Sequence, residues 1–172
     1  LSILGSKSVK GINYLENKGS AQCKSSVMLA ALNSSGVTSI KAKKSRNHTE
    51  LLFKFLKIDI KVKTTKKYDF IDIKQPKKIS AFNYHIPGDI SSSAFFIALT
   101  TLADSSKLLI KNVNINPSRI GVITILKKMG AKIFLKNKKN YYGERISDIF
   151  IKSSKNLRAI NCSPALNSSA ID

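Results

Sequence analysis

The feature that most constrains this chain is an internal repeat. Ser45-Arg46 recurs as Ser118-Arg119, and Ile58-Asp59-Ile60-Lys61-Val62 as Ala131-Lys132-Ile133-Phe134-Leu135, roughly 75 residues later in each case. Ile71-Asp72-Ile73-Lys74 has its counterpart in Ile149-Phe150-Ile151-Lys152, the extra residues falling in a turn near Tyr141-Tyr142-Gly143. Two copies of one supersecondary unit restrict the chain to an α/β protein built from repeated βαββαβ-like modules.

Hydrophobic spacing fills in each copy. Ser8 to Leu15 reads as a strand, and Gln22 to Leu32 as a helix with Cys23, Val27, Ala30 and Ala31 on one side. Val37 to Ala42 is a strand. Asn47 caps the next helix, with Glu50 as its capping-box partner. Ile58 to Val62 and Tyr68 to Ile73 alternate as two strands. In the second copy, Asp89 caps a helix over Ser91 to Leu102, and Lys107 to Val113 is a strand. A helix over Arg119 to Met129 and strands over Ala131 to Leu135 and Asp148 to Lys152 complete it. Each copy therefore runs helix–strand–helix–strand–strand. The join falls at Ile86-Pro87-Gly88-Asp89, dividing the chain into residues 1–86 and 87–172.

Composition narrows the function classes. The net charge is +20, and of 30 basic residues 26 are lysine and four are arginine. Readers of bases and phosphates favour the planar guanidinium, and these lysines scatter along strands and turns without interleaved aromatics. A solvated basic surface is the expectation, with steering of anionic metabolites into a cleft as the alternative and no nucleic-acid partner. No apolar run reaches the length of a membrane span, so no membrane partner is expected. Cys23 and Cys162 have no metal-ligand spacing and read as reduced core thiols.

Ser20-Ala21-Gln22-Cys23-Lys24-Ser25 opens an apolar helix just after Lys18-Gly19. Free backbone N–H groups and the positive end of the helix dipole point out of such a start and suit a phosphate. Arg46, at the start of the next helix, is electrostatically misplaced unless an anion faces it.

These residues resemble a known family, the bacterial class II enolpyruvylshikimate-phosphate synthases. The resemblance rests on Ser20-Ala21-Gln22-Cys23-Lys24-Ser25 against S-A-Q-x-K-S and Ser45-Arg46-Asn47-His48-Thr49-Glu50 against S/T-R-D-H-T-E. It continues with Pro87-Gly88-Asp89-Ile90-Ser91-Ser92, Asn116-Pro117-Ser118-Arg119 and the terminal Ala170-Ile171-Asp172. Asn47 stands where the family usually has Asp, which puts any ion pair of that Asp in doubt.

The resemblance implies two lobes, each of three βαββαβ copies in an inside-out α/β barrel, incomplete in this chain. It implies transfer of the enolpyruvyl group of phosphoenolpyruvate to the 5-hydroxyl of shikimate 3-phosphate, without metal or organic cofactor. Ser20, Ala21, Gln22, Arg46 and Asp172 would bind shikimate 3-phosphate, and Gln22 would also reach phosphoenolpyruvate. Asp172 would be the catalytic carboxylate, and Lys24 a supporting charge. Glu50 and Asp89 are expected as caps and Arg119 as structural. A cytoplasmic enzyme, monomeric at full length, is expected, with residues 1–172 alone a fragment that does not turn over. The rivals are the sister transferase acting on UDP-N-acetylglucosamine and a non-catalytic basic RNA-binding module.

Overall fold

The computed structural model describes residues 2, 4–6 and 8–170. The chain divides into two compact units, residues 1–82 and 83–172. The division falls slightly before the expected join. The reason is local: Tyr84 stacks on Tyr141 and Tyr142, and the His85 N–H donates to the Tyr141 hydroxyl at 3.1 Å, so this segment packs with the second unit.

Unit 1 runs β1 (Asn13–Glu16), α1 (Ala21–Ala31), β2 (Val37–Lys43), α2 (His48–Phe55), β3 (Ile60–Thr64) and β4 (Tyr68–Lys74). Its sheet has the order β1-β2-β4-β3. β1 pairs parallel with β2, and the other pairs are antiparallel. Alternation along β2 and β4 sends Ile40, Ala42, Ile71 and Ile73 to one face. There they pack with Met28 and Ala31 of α1 and Phe53 of α2. Each of the isoleucines, Met28 and Phe53 contributes roughly 1.5–3 kcal/mol relative to exposure.

Unit 2 repeats the plan: α3 (Ile90–Leu102), β5 (Lys107–Asn114), α4 (Gly121–Lys128), β6 (Lys132–Tyr141) and β7 (Glu144–Lys152), with α5 (Pro164–Ser168) added. Its sheet has the order β5-β7-β6, all antiparallel. Gly88 makes an isolated parallel bridge to Val113, at the place where unit 1 has its parallel strand β1. Ile90, Ile97, Val113, Ile123, Ile149 and Ile151 form the core. The helix–strand–helix–strand–strand order expected from the repeat is present in both units.

Several details differ from the sequence reading. The first strand is shorter and later than Ser8 to Leu15: the chain before it makes an isolated parallel bridge from Lys10 to Ser35, and Gly11 lies against the backbone of Val37, where an added Cβ would be 2.6 Å from the Val37 carbonyl carbon. The face of α1 that turns inward is Lys24, Met28 and Ala31, while Cys23 and Ala30 are exposed. Cys23 is therefore not a core thiol, and Cys162 is only partly buried. α4 starts after Arg119 because Asn116 makes a local turn, its Oδ1 accepting from the Ser118 N–H at 2.9 Å. Lysines and aromatics do interleave once the strands pair: Lys41 lies over Tyr68 and Phe70, and Lys136 and Lys152 over Phe150.

Candidate functional site

Parallel pairing of β1 with β2 decides where the candidate residues meet. Asn13 lies opposite Ser39 and Glu16 opposite Ala42, so both strands end at the same edge of the sheet. Each strand then leads into a helix start, α1 after β1 and α2 after β2. Ser20-Ala21-Gln22 and Arg46 are thus delivered to one end of unit 1. The loops touch there: a Cβ on Gly19 would sit 3.6 Å from the Lys44 carbonyl oxygen. Ligands of α/β proteins favour this carboxyl end of parallel strands.

The start of α1 is built in layers. Ser20 is the N-cap, and its Oγ accepts from the Cys23 N–H at 3.2 Å. Before it, the turn is folded around a carboxylate that sequence reasoning missed. Glu16 is 3% exposed and accepts from the Lys18 N–H at 2.9 Å and the Gly19 N–H at 2.8 Å. Burial raises its carboxyl, but the N–H groups of Ser20, Lys18 and Gly19 and the Lys43 charge outweigh it. The group lies below its ordinary value of 4.5. Gly19 adopts φ 77°, the left-handed region the turn needs. The N–H groups at residues 18–20 therefore face an internal anion. Those available to an outside anion are the first of the helix itself, at Ala21 and Gln22. Gln22 is exposed; Ser20, Ala21 and Arg46 are half-buried.

Lys24 is fully buried and does not face the surface. Its Nζ lies 2.6 Å from Glu50 Oε1 and donates to the Arg46 carbonyl at 2.9 Å. Glu50 is therefore not the capping partner expected, and Asn47 makes no side-chain cap bond. The Ser25 and Thr49 hydroxyls meet at 2.7 Å alongside.

Unit 2 holds the repeat counterpart. Asp89 caps α3, accepting from the Ser92 N–H at 2.8 Å and the Ser92 hydroxyl at 2.9 Å. Arg119 reaches Ser91 Oγ and stands 3.3 Å from Asp89 Oδ1. Burial raises the Asp89 carboxyl, but the Ser92 N–H and hydroxyl, the Ser91 N–H and Arg119 together hold it below its ordinary value of 3.8. Gly121 of α4 donates its N–H to the Ser169 carbonyl at 3.2 Å, tying α4 to the end of α5. Asp172 itself lies outside the described residues. Among those residues, no cluster of three or more His, Cys, Asp or Glu could hold a metal ion, and no helix is long and apolar enough to cross a membrane.

Comparison with known proteins identifies a family for the chain. The family model for EPSP synthase (3-phosphoshikimate 1-carboxyvinyltransferase) matches residues 1–165. The chain is 40% identical to the 3-phosphoshikimate 1-carboxyvinyltransferase of Thermoanaerobacter sp. (strain X514), over 100% of this chain and 40% of that protein. It is 37% identical to the enzyme of that name from Bacillus subtilis (strain 168), over 93% of this chain and 36% of the relative. The solved EPSP synthase from Acinetobacter baumannii superposes with a TM-score of 0.82 at 36% identity, covering 97% of this chain and 37% of that one. The chain spans about 40% of the length of the curated relatives it matches. It belongs to the EPSP synthase family.

Proposed function

We propose, from that membership, that this chain carries part of the active site of a cytoplasmic enzyme that joins phosphoenolpyruvate to shikimate 3-phosphate. The observation that supports it most directly is the shared sheet edge in unit 1, where a neutral helix cap at Ser20 and the Arg46 loop come together. In this reading the Ser20 hydroxyl, the Ala21 and Gln22 N–H groups and the Arg46 guanidinium hold the 3-phosphate. Held so, the 5-hydroxyl faces the enol carbon, and positioning lowers the barrier. Asp172 takes or orients the hydroxyl proton as the new carbon–oxygen bond forms, while the enol double bond opens and its methylene carbon takes up a proton from a general acid. Phosphate then leaves from the tetrahedral intermediate as its carbon–oxygen bond breaks and the methyl carbon gives back a proton, restoring the double bond. Gln22 also contacts phosphoenolpyruvate.

The test is a titration of the chain with shikimate 3-phosphate, monitored by amide NMR, which registers even millimolar affinity. Saturable shifts at residues 20–22 and 46 are expected, with alkylation of the exposed Cys23 slowed by the ligand. Arg46→Ala is expected to weaken binding about tenfold or more, as loss of a charge-assisted pair does. Residues 1–172 alone are expected to bind without turnover. An absence of saturable shifts overturns the proposal. Selective shifts with UDP-N-acetylglucosamine transfer it to the sister reaction, and steeply salt-dependent affinity for arbitrary RNA to a basic binding module.

A further inference from the structure

The buried Lys24–Glu50 pair is not demanded by the fold. The internal repeat supplies the comparison. Counting from the two helix caps, Ser20 and Asp89, Lys24 corresponds to Ser93; counting from the two arginines, Glu50 corresponds to Ile123. Unit 2 buries Ser93 and Ile123 at these places and builds the same helix–strand–helix–strand–strand unit with no charge at either of these two positions. An apolar residue at the second position is the cheaper solution, because burying two charges sets a desolvation penalty against their attraction. Unit 1 retains the charges although Glu50 Oε2 is buried with no hydrogen-bond partner.

What the pair does in unit 1 is visible in where Lys24 donates. One contact goes to Glu50 Oε1, on the first turn of α2. The other goes to the backbone carbonyl of Arg46, in the loop before that helix. In unit 2 the equivalent arginine is held by its guanidinium, through Ser91 and Asp89 at the α3 start. In unit 1 Lys24 holds the arginine loop from behind, through the Arg46 main chain.

We infer that Lys24 and Glu50 form a buried clamp that positions Arg46 against the start of α1. Lys24 and Glu50 are positioning residues and touch no substrate. Glu50 fixes the Lys24 ammonium, and the ammonium fixes the carbonyl of the residue whose side chain meets the anion. The Ser25–Thr49 hydroxyl pair, one residue after Lys24 and one before Glu50, ties the same two helices. The inference rests on the shikimate 3-phosphate reading only for the identity of the anion.

The test transplants the unit 2 solution. The full chain is prepared as wild type, as Lys24→Met and as Lys24→Met/Glu50→Ile. The single variant leaves Glu50 buried and unpaired, and is expected to lower the unfolding temperature of unit 1. The double variant removes both charges and is expected to melt close to wild type. Two readouts then separate positioning from stability. With shikimate 3-phosphate, the double variant is expected to bind on the order of tenfold more weakly, as a displaced binding group does. Without ligand, amide exchange at residues 44–47 is expected to accelerate while β2 and β4 stay protected. A double variant that binds within twofold of wild type and keeps the loop protected overturns the inference. One that fails to fold assigns the pair to the fold and also overturns it. A wild-type chain that ignores shikimate 3-phosphate refutes the ligand, while loop exchange without ligand still decides the clamp.

Discussion

Glu16→Gln is the most direct probe of what shapes the start of α1. The carboxylate is 3% exposed and takes the Lys18 and Gly19 N–H groups on separate oxygens, at 2.9 and 2.8 Å. Glutamine keeps one acceptor and turns an NH2 group toward the other N–H. One bond to a charged acceptor is lost, about 1.5–3 kcal/mol, and the remaining one is weakened. A net loss of about 2–3 kcal/mol is expected. A unit of this size has roughly 4–12 kcal/mol in total, so the effect is a large fraction of it. In urea, with a slope of about 1 kcal/mol per molar, the midpoint of unit 1 should fall by about 2 M. The amide signals of β2 and β4 report that unit specifically.

The same variant carries a pH signature. The folded carboxyl lies below its ordinary value of 4.5, so its contribution is complete above that value and is lost as pH falls through the folded pKa. Glutamine does not titrate. The gap between wild type and variant should therefore be full at neutral pH and narrow between about pH 5 and 3. A midpoint shift below about 0.3 M, or a gap that widens on acidification, refutes the assignment of Glu16 as the centre of this turn.

Two further changes test unit 2. In Gly121→Ala the new methyl would meet Ser169 Oγ and lie 2.6 Å from the Ser169 carbonyl carbon, so a loss of about 1–3 kcal/mol in thermal unfolding is expected, with faster exchange of the Ala170 amide. Lys107, Lys152 and Lys132 lie directly opposite one another across β5-β7-β6, whereas in unit 1 the matching Lys74 faces Asp59 at 3.9 Å. Lys132→Asp should therefore raise stability by about 0.5 kcal/mol, a gain that shrinks with added salt in the same melting assay.

Legibility in the sequence depends on which interactions leave a pattern. β2 and β4 were legible because Lys41 separates Ile40 from Ala42 and Asp72 separates Ile71 from Ile73, so period-two alternation survives. The inward face of α1 was misread because a lysine occupies a core position; its spacing becomes intelligible only with Glu50 opposite, a contact between distant segments. Glu16 left no signal because its partners are backbone N–H groups, which any residue carries. α5 was missed because five residues are too short for helical periodicity. Ser20, Ala21, Gln22 and Arg46 were legible as motifs, but their shared location depends on β1 pairing parallel to β2, which no local stretch encodes.

The two units answer one electrostatic problem in opposite ways, and the difference can be exchanged between them. A helix start carries partial positive charge and is stabilised by an anion. Unit 2 supplies that anion itself: the Asp89 carboxylate takes the Ser92 N–H at 2.8 Å and faces Arg119 at 3.3 Å. Unit 1 caps α1 with the neutral hydroxyl of Ser20, while its nearby carboxylate, Glu16, is turned toward residues 18–20. In the proposed function the phosphate of the substrate takes the place in unit 1 that Asp89 takes in unit 2. Ser20→Asp should then make unit 1 satisfy itself. Ser and Asp cap helices comparably, so unfolding should shift by no more than about 0.5 kcal/mol, and the added charge at the helix start favours the folded state. Affinity for shikimate 3-phosphate should nevertheless fall by about a hundredfold, roughly 2.7 kcal/mol, because the phosphate would meet a carboxylate already on its donors. If the Ser20→Asp chain binds the phosphate as wild type does, the start of α1 is not where the anion sits.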